Sequence, residues 1–164
     1  MDTNNKKESV VKGNGELPRV DFYVLRASGA SNISGMACRI TEKAWKSGHR
    51  VFVHTGTQFT SRQIDDLLWT FRAESFVPHT IDLGPADSGA DDEKYAVLVG
   101  CGLEPRGELD VLINLGDAIP AFFKRCKRII EVVSGNPKDR NRALVRERYR
   151  LYRGEGCSLH THDL

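Results

Sequence analysis

Short apolar runs separated by stretches at helical spacing constrain this chain more than any other feature. "RVDFYVL" (Arg19 to Leu25), "RVFVHTG" (Arg50 to Gly56), "YAVLVG" (Tyr95 to Gly100), "LDVLINLG" (Leu109 to Gly116) and "RIIEVV" (Arg128 to Val133) read as five strands. The third and fourth lack apolar–polar alternation, which is expected of central strands covered on both faces. Between them, "GMACRITEKAWKSG" gathers Met36, Ile40, Ala44 and Trp45 on one helical face and stops at Gly48. "TSRQIDDLLWTFR" opens with Thr60 or Ser61 as its cap and carries the stripe Ile64, Leu67, Leu68 and Phe71. "AIPAFFKRC" reads as a short helix with Pro120 near its start, and "NPKDRNRALVRERYRLYR" as the last helix with Pro137 in its first turn. Strands alternating with helices imply βαβ units. The predicted fold is α/β, a three-layer α/β/α, Rossmann-like arrangement around a mostly parallel sheet of about five strands with four helices.

A length of 164 residues suits one domain. Residues 1–18 are polar and aperiodic and read as a flexible N-terminal extension, 19–157 as the α/β domain, and 158–164 as a flexible C-terminal tail. "LGPADSGADDEK" (Leu83 to Lys94) is rich in turn formers and acids and reads as an exposed loop. No apolar run reaches the roughly 18 residues a membrane span needs, and the N-terminus lacks the apolar core of a secretion signal, so a cytoplasmic protein is expected. The four cysteines, Cys38, Cys101, Cys126 and Cys157, form no C-x-x-C pair and are expected as free thiols.

Catalytic motifs are missing from the sequence. Neither G-x-G-x-x-G nor G-x-x-x-x-G-K-[ST] nor G-x-S-x-G occurs, so no cofactor is expected. Asp65 and Asp66 are helix neighbours that point about 100° apart, and they read as a solvated face. His160 and His162 with Asp163 make the one suggestive histidine spacing, but ligands on a tail lack the rigid second layer a metal needs, and no metal is assigned.

The last helix is unusual in its charge: Arg142 to Gly156 holds five arginines, in a chain of net charge only +2. On a wheel of about 100° per residue, Leu144, Val145, Leu151 and Tyr152 form the stripe expected to face the sheet. Arg142, Arg146, Tyr149, Arg150 and Arg153 fall on the opposite side. Glu147 is almost the only acid nearby, so most of this charge lacks an internal partner. Arginines with an aromatic among them suit a ligand that is acidic, extended and partly aromatic. A second segment, "LLWTFRAESFVPH", places Trp69, Phe76, Val77 and Pro78 around a helix end and an extended loop, and reads as an exposed apolar patch of the kind that marks a partner site.

Four separated stretches, "FYVL", "AWKSGHRV", "AESFVPH" after a helix ending in "LLW", and "RERYRLYR", together resemble the chi subunit family of bacterial DNA polymerase III over about Val20 to Cys157. The resemblance implies a non-catalytic accessory subunit of the clamp-loader part of the polymerase holoenzyme. Such a subunit binds the acidic, aromatic-ending C-terminal tail of single-stranded DNA-binding protein and pairs with the psi subunit. It would meet single-stranded DNA only indirectly. The resemblance places the tail on Arg142, Arg146, Tyr149 and Arg150, where the family carries lysine at the positions of Arg142 and Arg150. It places psi, or an accessory helicase, on Trp69 and Phe76. Two other readings stand beside it: direct binding of single-stranded nucleic acid by the same arginine face, and a Rossmann-like small-molecule enzyme.

Overall fold

The computed structural model describes residues 15–26, 32–82, 95–102 and 104–164. In chain order these form β1 (Arg19–Leu25), α1 (Ile33–Lys46), β2 (Val51–His54), α2 (Gln58–Thr70), β3 (Thr80–Asp82), β4 (Val97–Gly100), β5 (Leu109–Asn114), β6 (Cys126–Ser134), α3 (Arg142–Gly154) and β7 (Ser158–Asp163). A 3-10 turn, Phe123–Arg125, precedes β6. The strands make one sheet of order β3-β4-β2-β5-β6-β1-β7, and every neighbouring pair is parallel.

The central strands are apolar on both faces because both faces are covered. Val51, Val53, Val97, Val99, Val111, Ile113, Ile130 and Val132 point to one side, where Ala37 and Cys38 of α1 and Ile64 and Leu68 of α2 pack on them. The residues in alternate register, Val20, Phe22, Phe52, Leu98, Leu112 and Ile129, point to the other, where Tyr152 of α3 and the phenylalanines of the 3-10 turn cover them. Three layers result, with α1 and α2 on one side of the sheet and α3 on the other.

All five predicted strands are present, and the sheet has two more. β3 and β7 lie at its two edges, where a strand has one partner only. The expected tail at 158–164 is instead β7, which pairs with β1 in the register Val20 to Leu159 and Tyr23 to His162. Its His162 ring stacks on Tyr23 at 4.7 Å and puts Nε2 2.7 Å from Oδ1 of Asp21. Asp21 is fully buried, and Arg19 and Arg128 also donate to it. Burial raises the pKa of this carboxyl, but the hydrogen bonds from Arg19, His162 and Arg128 outweigh it and lower the pKa to about 2.

Helix boundaries also differ from the prediction. The cap of α2 is Thr57, whose side chain accepts from the Thr60 amide at 3.1 Å, so the helix starts before Thr60 and Ser61. α3 begins at Arg142, and Pro137 lies in the preceding turn rather than in the helix. "AIPAFFKRC" yields only the 3-10 turn, leaving three α-helices among the described residues. Gly48 does close α1, with φ of 85°, a left-handed value that favours glycine. The loop expected at Leu83 to Lys94 lies outside the described residues, as do residues 1–14 of the N-terminal extension expected over 1–18; its last residues, Leu17 and Pro18, pack inward.

Candidate functional site

α3 is positioned by a buried polar group rather than by leucines. Glu131 on β6 is fully buried and accepts from Nε of Arg148 at 3.1 Å, Nδ2 of Asn114 at 2.9 Å and the Tyr152 hydroxyl at 2.8 Å. Arg148 also donates from Nη1 to the Asp117 carbonyl at 2.9 Å, which ties the helix to the loop after β5. Burial raises the pKa of Glu131, while the Arg148 guanidinium is the strongest influence holding it down. The same burial, with Glu131 beside it, pushes the Tyr152 hydroxyl up, so it stays a donor.

This arrangement corrects the helical stripe. Leu151 is 53% exposed and Arg148 only 8% exposed, so the inward face is Val145, Arg148 and Tyr152. The signal was present: at about 100° per residue Arg148 falls between Leu144 and Tyr152, inside the apolar stripe. A charged residue there needs a buried partner, and Glu131 within "RIIEVV" is the one acid of that run.

The outward face carries Arg146, Tyr149, Arg150 and Arg153, with Arg142 half-buried at its start. None of these four arginines has a carboxylate within ion-pair reach among the described residues. Tyr149 rests its ring on Phe22 of β1, centroids 5.3 Å apart. Beside this face, at the carboxyl ends of β1, β5 and β6, opens a cavity of about 330 Å³. Arg142, Val145 and Arg146 line one side, and Val24, Val133 and Gly135 contribute apolar and backbone surface. Gly135 is required there: a Cβ would stand 2.3 Å from the Leu25 carbonyl, which accepts the Gly135 amide at 2.7 Å. Asp117 and Asp139 line it too, so its positive charge comes from α3. Arg150, Arg153 and Tyr149 do not line the cavity; they extend its positive surface along the helix.

The second predicted site is assembled in part. Trp69, 48% exposed, and Phe76, 62% exposed, lie ring to ring at 5.4 Å, and Pro78 is exposed beside them. Val77 is fully buried and belongs to the core under α2. The reason is alternation along an extended segment: Phe76 and Pro78 point out while Val77 and His79 point in. His79 supports the Trp69 ring at 4.5 Å and is held by Asp65, 2.9 Å from Nε2, and by the Val77 carbonyl. Asp65 is therefore partnered rather than merely solvated. Glu42 of α1 accepts from Arg72 and Ser75 and so anchors the loop that carries Phe76.

Among the described residues no three His, Cys, Asp or Glu side chains gather as a metal site, and no helix is long and apolar enough to cross a membrane. Cys38, Cys126 and Cys157 are buried free thiols and Cys101 is a half-buried one.

A family model described as DNA polymerase III chi subunit, HolC, matches residues 17–160. The DNA polymerase III subunit chi of Pseudomonas aeruginosa is 35% identical over 148 residues, covering 90% of this chain and 98% of that protein. The subunit chi of Haemophilus influenzae is 31% identical over 144 residues, covering 87% and 95%. That of Escherichia coli is 29% identical over 149 residues, covering 88% and 97%. With the family model spanning residues 17–160 and a relative 35% identical over most of both chains, this chain belongs to the DNA polymerase III chi subunit family.

Proposed function

We propose that this protein is a non-catalytic accessory subunit of the polymerase III holoenzyme that tethers it to the acidic C-terminal tail of single-stranded DNA-binding protein. The observation that carries the reading is the arginine face of α3 standing beside a partly apolar cavity. Arg142 and Arg146 would take carboxylates while Val24, Val133 and Val145 receive a terminal aromatic ring. Tyr149, Arg150 and Arg153 would track the acidic residues before it. The helix itself favours an anion here. Its first turn contains no acid and begins with a cation, Arg142, where the helix dipole disfavours positive charge, so a bound carboxylate relieves that cost. Arg153, in the last turn, is the one of the set that also has an intrahelical reason to be there.

A few charge-assisted bonds of about 1.5 to 3 kcal/mol each, less ordering costs, correspond to roughly micromolar affinity that weakens with salt. Many tails on one coated strand would raise the effective concentration and make such a contact sufficient. The exposed pair Trp69 and Phe76, with Pro78, supports a second contact, to psi or an accessory helicase; buried Val77 would shape it only from beneath. The test is a calorimetric titration with an acidic peptide ending in phenylalanine. Arg146→Glu is expected to weaken binding at least tenfold, the scale of about 1.4 kcal/mol, while the thermal unfolding curve stays unchanged. Deleting the terminal phenylalanine should cost a similar factor. Unchanged affinity in both experiments would defeat the reading.

A further inference from the structure

A larger cavity, about 510 Å³, lies on the other side of the sheet and plays no part in the site above. It runs between α1 and the ends of β1, β5 and β6 beside it. Cations stand on two facing walls: Arg39 and Lys43, one helical turn apart on α1, and Lys127 and Arg128 on β6. Lys127 and Arg128 are committed to Asp110 and Asp21, at 2.9 and 2.7 Å. Arg39 and Lys43 are exposed and have no carboxylate within ion-pair reach among the described residues. Met36, Ile40 and Tyr23 give the groove an apolar and aromatic surface, and Asp110, which Lys127 neutralises, lines it too.

Basic groups beside an apolar surface with an aromatic ring fit a ligand that is itself divided in this way. We propose that this groove holds nucleotide units of single-stranded nucleic acid, a base lying over Met36, Ile40 and Tyr23 and the phosphates meeting Arg39 and Lys43. An acidic peptide fits less well. The strands under the groove are ladder-bonded on both sides, so an extended peptide finds no free backbone group there, and a nucleotide needs none. The cavity is also of the size that encloses a nucleotide-sized ligand.

Fluorescence anisotropy of a short fluorescein-labelled oligothymidylate on the full chain, at several salt concentrations, tests this. The wild type is expected to bind with a clear salt dependence. Arg39→Glu with Lys43→Glu should weaken binding about tenfold or more and flatten the slope of log affinity against log salt by about 1.4, the loss of two single-strand phosphate contacts. Arg146→Glu with Arg150→Glu changes net charge equally on the α3 side and should leave that slope in place while abolishing peptide binding. The proposal is overturned if the wild type binds no oligonucleotide, if both double variants lose it alike, or if only the α3 pair loses it. It is also overturned if the α1 pair impairs binding of the acidic peptide but not of the oligonucleotide. All four substituted side chains are exposed, and matching unfolding curves will establish that each variant is folded.

Discussion

Arg148 and Glu131 show how one residue decides what a helix can present. Because Arg148 neutralises a buried carboxylate, removing it alone leaves that charge stranded. Arg148→Met is therefore expected to cost about 3 to 5 kcal/mol in urea unfolding, although methionine fits the volume. The double variant Glu131→Gln with Arg148→Met should recover a large part of the loss, since no buried charge remains; no recovery would argue against this account. Asp21 behaves differently. Its folded pKa, about 2, lies below the ordinary 3.8, so its contribution is present above the ordinary value and disappears as pH falls toward the folded one. The depression corresponds to a contribution on the order of 2 kcal/mol. Stability measured from about pH 6 downward should show the gap between wild type and Asp21→Asn closing below about pH 4. A constant gap would mean that Asp21 acts by packing alone.

At the level of elements, legibility followed coverage. Strands buried on both faces announce themselves as unbroken apolar runs, and "YAVLVG" and "LDVLINLG" were readable for that reason. "SLHTHD" hides its strand because an edge strand needs few apolar side chains. Leu159 packs on one side, and His162 works on the other through Tyr23 and Asp21, a partnership set by tertiary register and invisible locally. Similarly, the arginine face of α3 follows from helical geometry, but its cavity needs Val24 and Val133 from two distant strands and Gly135 from the loop after β6. β7 gives a direct check. A chain ending at Cys157 should unfold about 4 to 8 °C lower, the scale of about 2 kcal/mol for a protein of this size. Melting at the wild-type temperature would show that the segment adds nothing.

For the whole molecule, 24 basic and 22 acidic side chains nearly cancel, yet the sheet separates what remains into distinct surfaces. The arginine face belongs to α3, on one side, and its cavity opens at the carboxyl ends of the strands; Trp69 and Phe76 belong to α2 and the loop after it, on the other side. Neither Trp69 nor Phe76 nor the His79 that supports them lines the cavity, so no one of these side chains belongs to both sites. Substitutions at separated sites without common partners ordinarily add to within about 0.5 kcal/mol. Trp69→Ala with Phe76→Ala should then leave affinity for the acidic, phenylalanine-ending peptide within about a factor of two, measured by calorimetry. Arg146→Glu, added to that background, should cost the same factor as it does in the wild type. Such independence is what the proposed tether would require, because a subunit gripping two partners would have to hold one while the other exchanges. A tenfold change in peptide affinity on truncating the aromatic pair would instead mean that the sheet transmits occupancy from one face to the other.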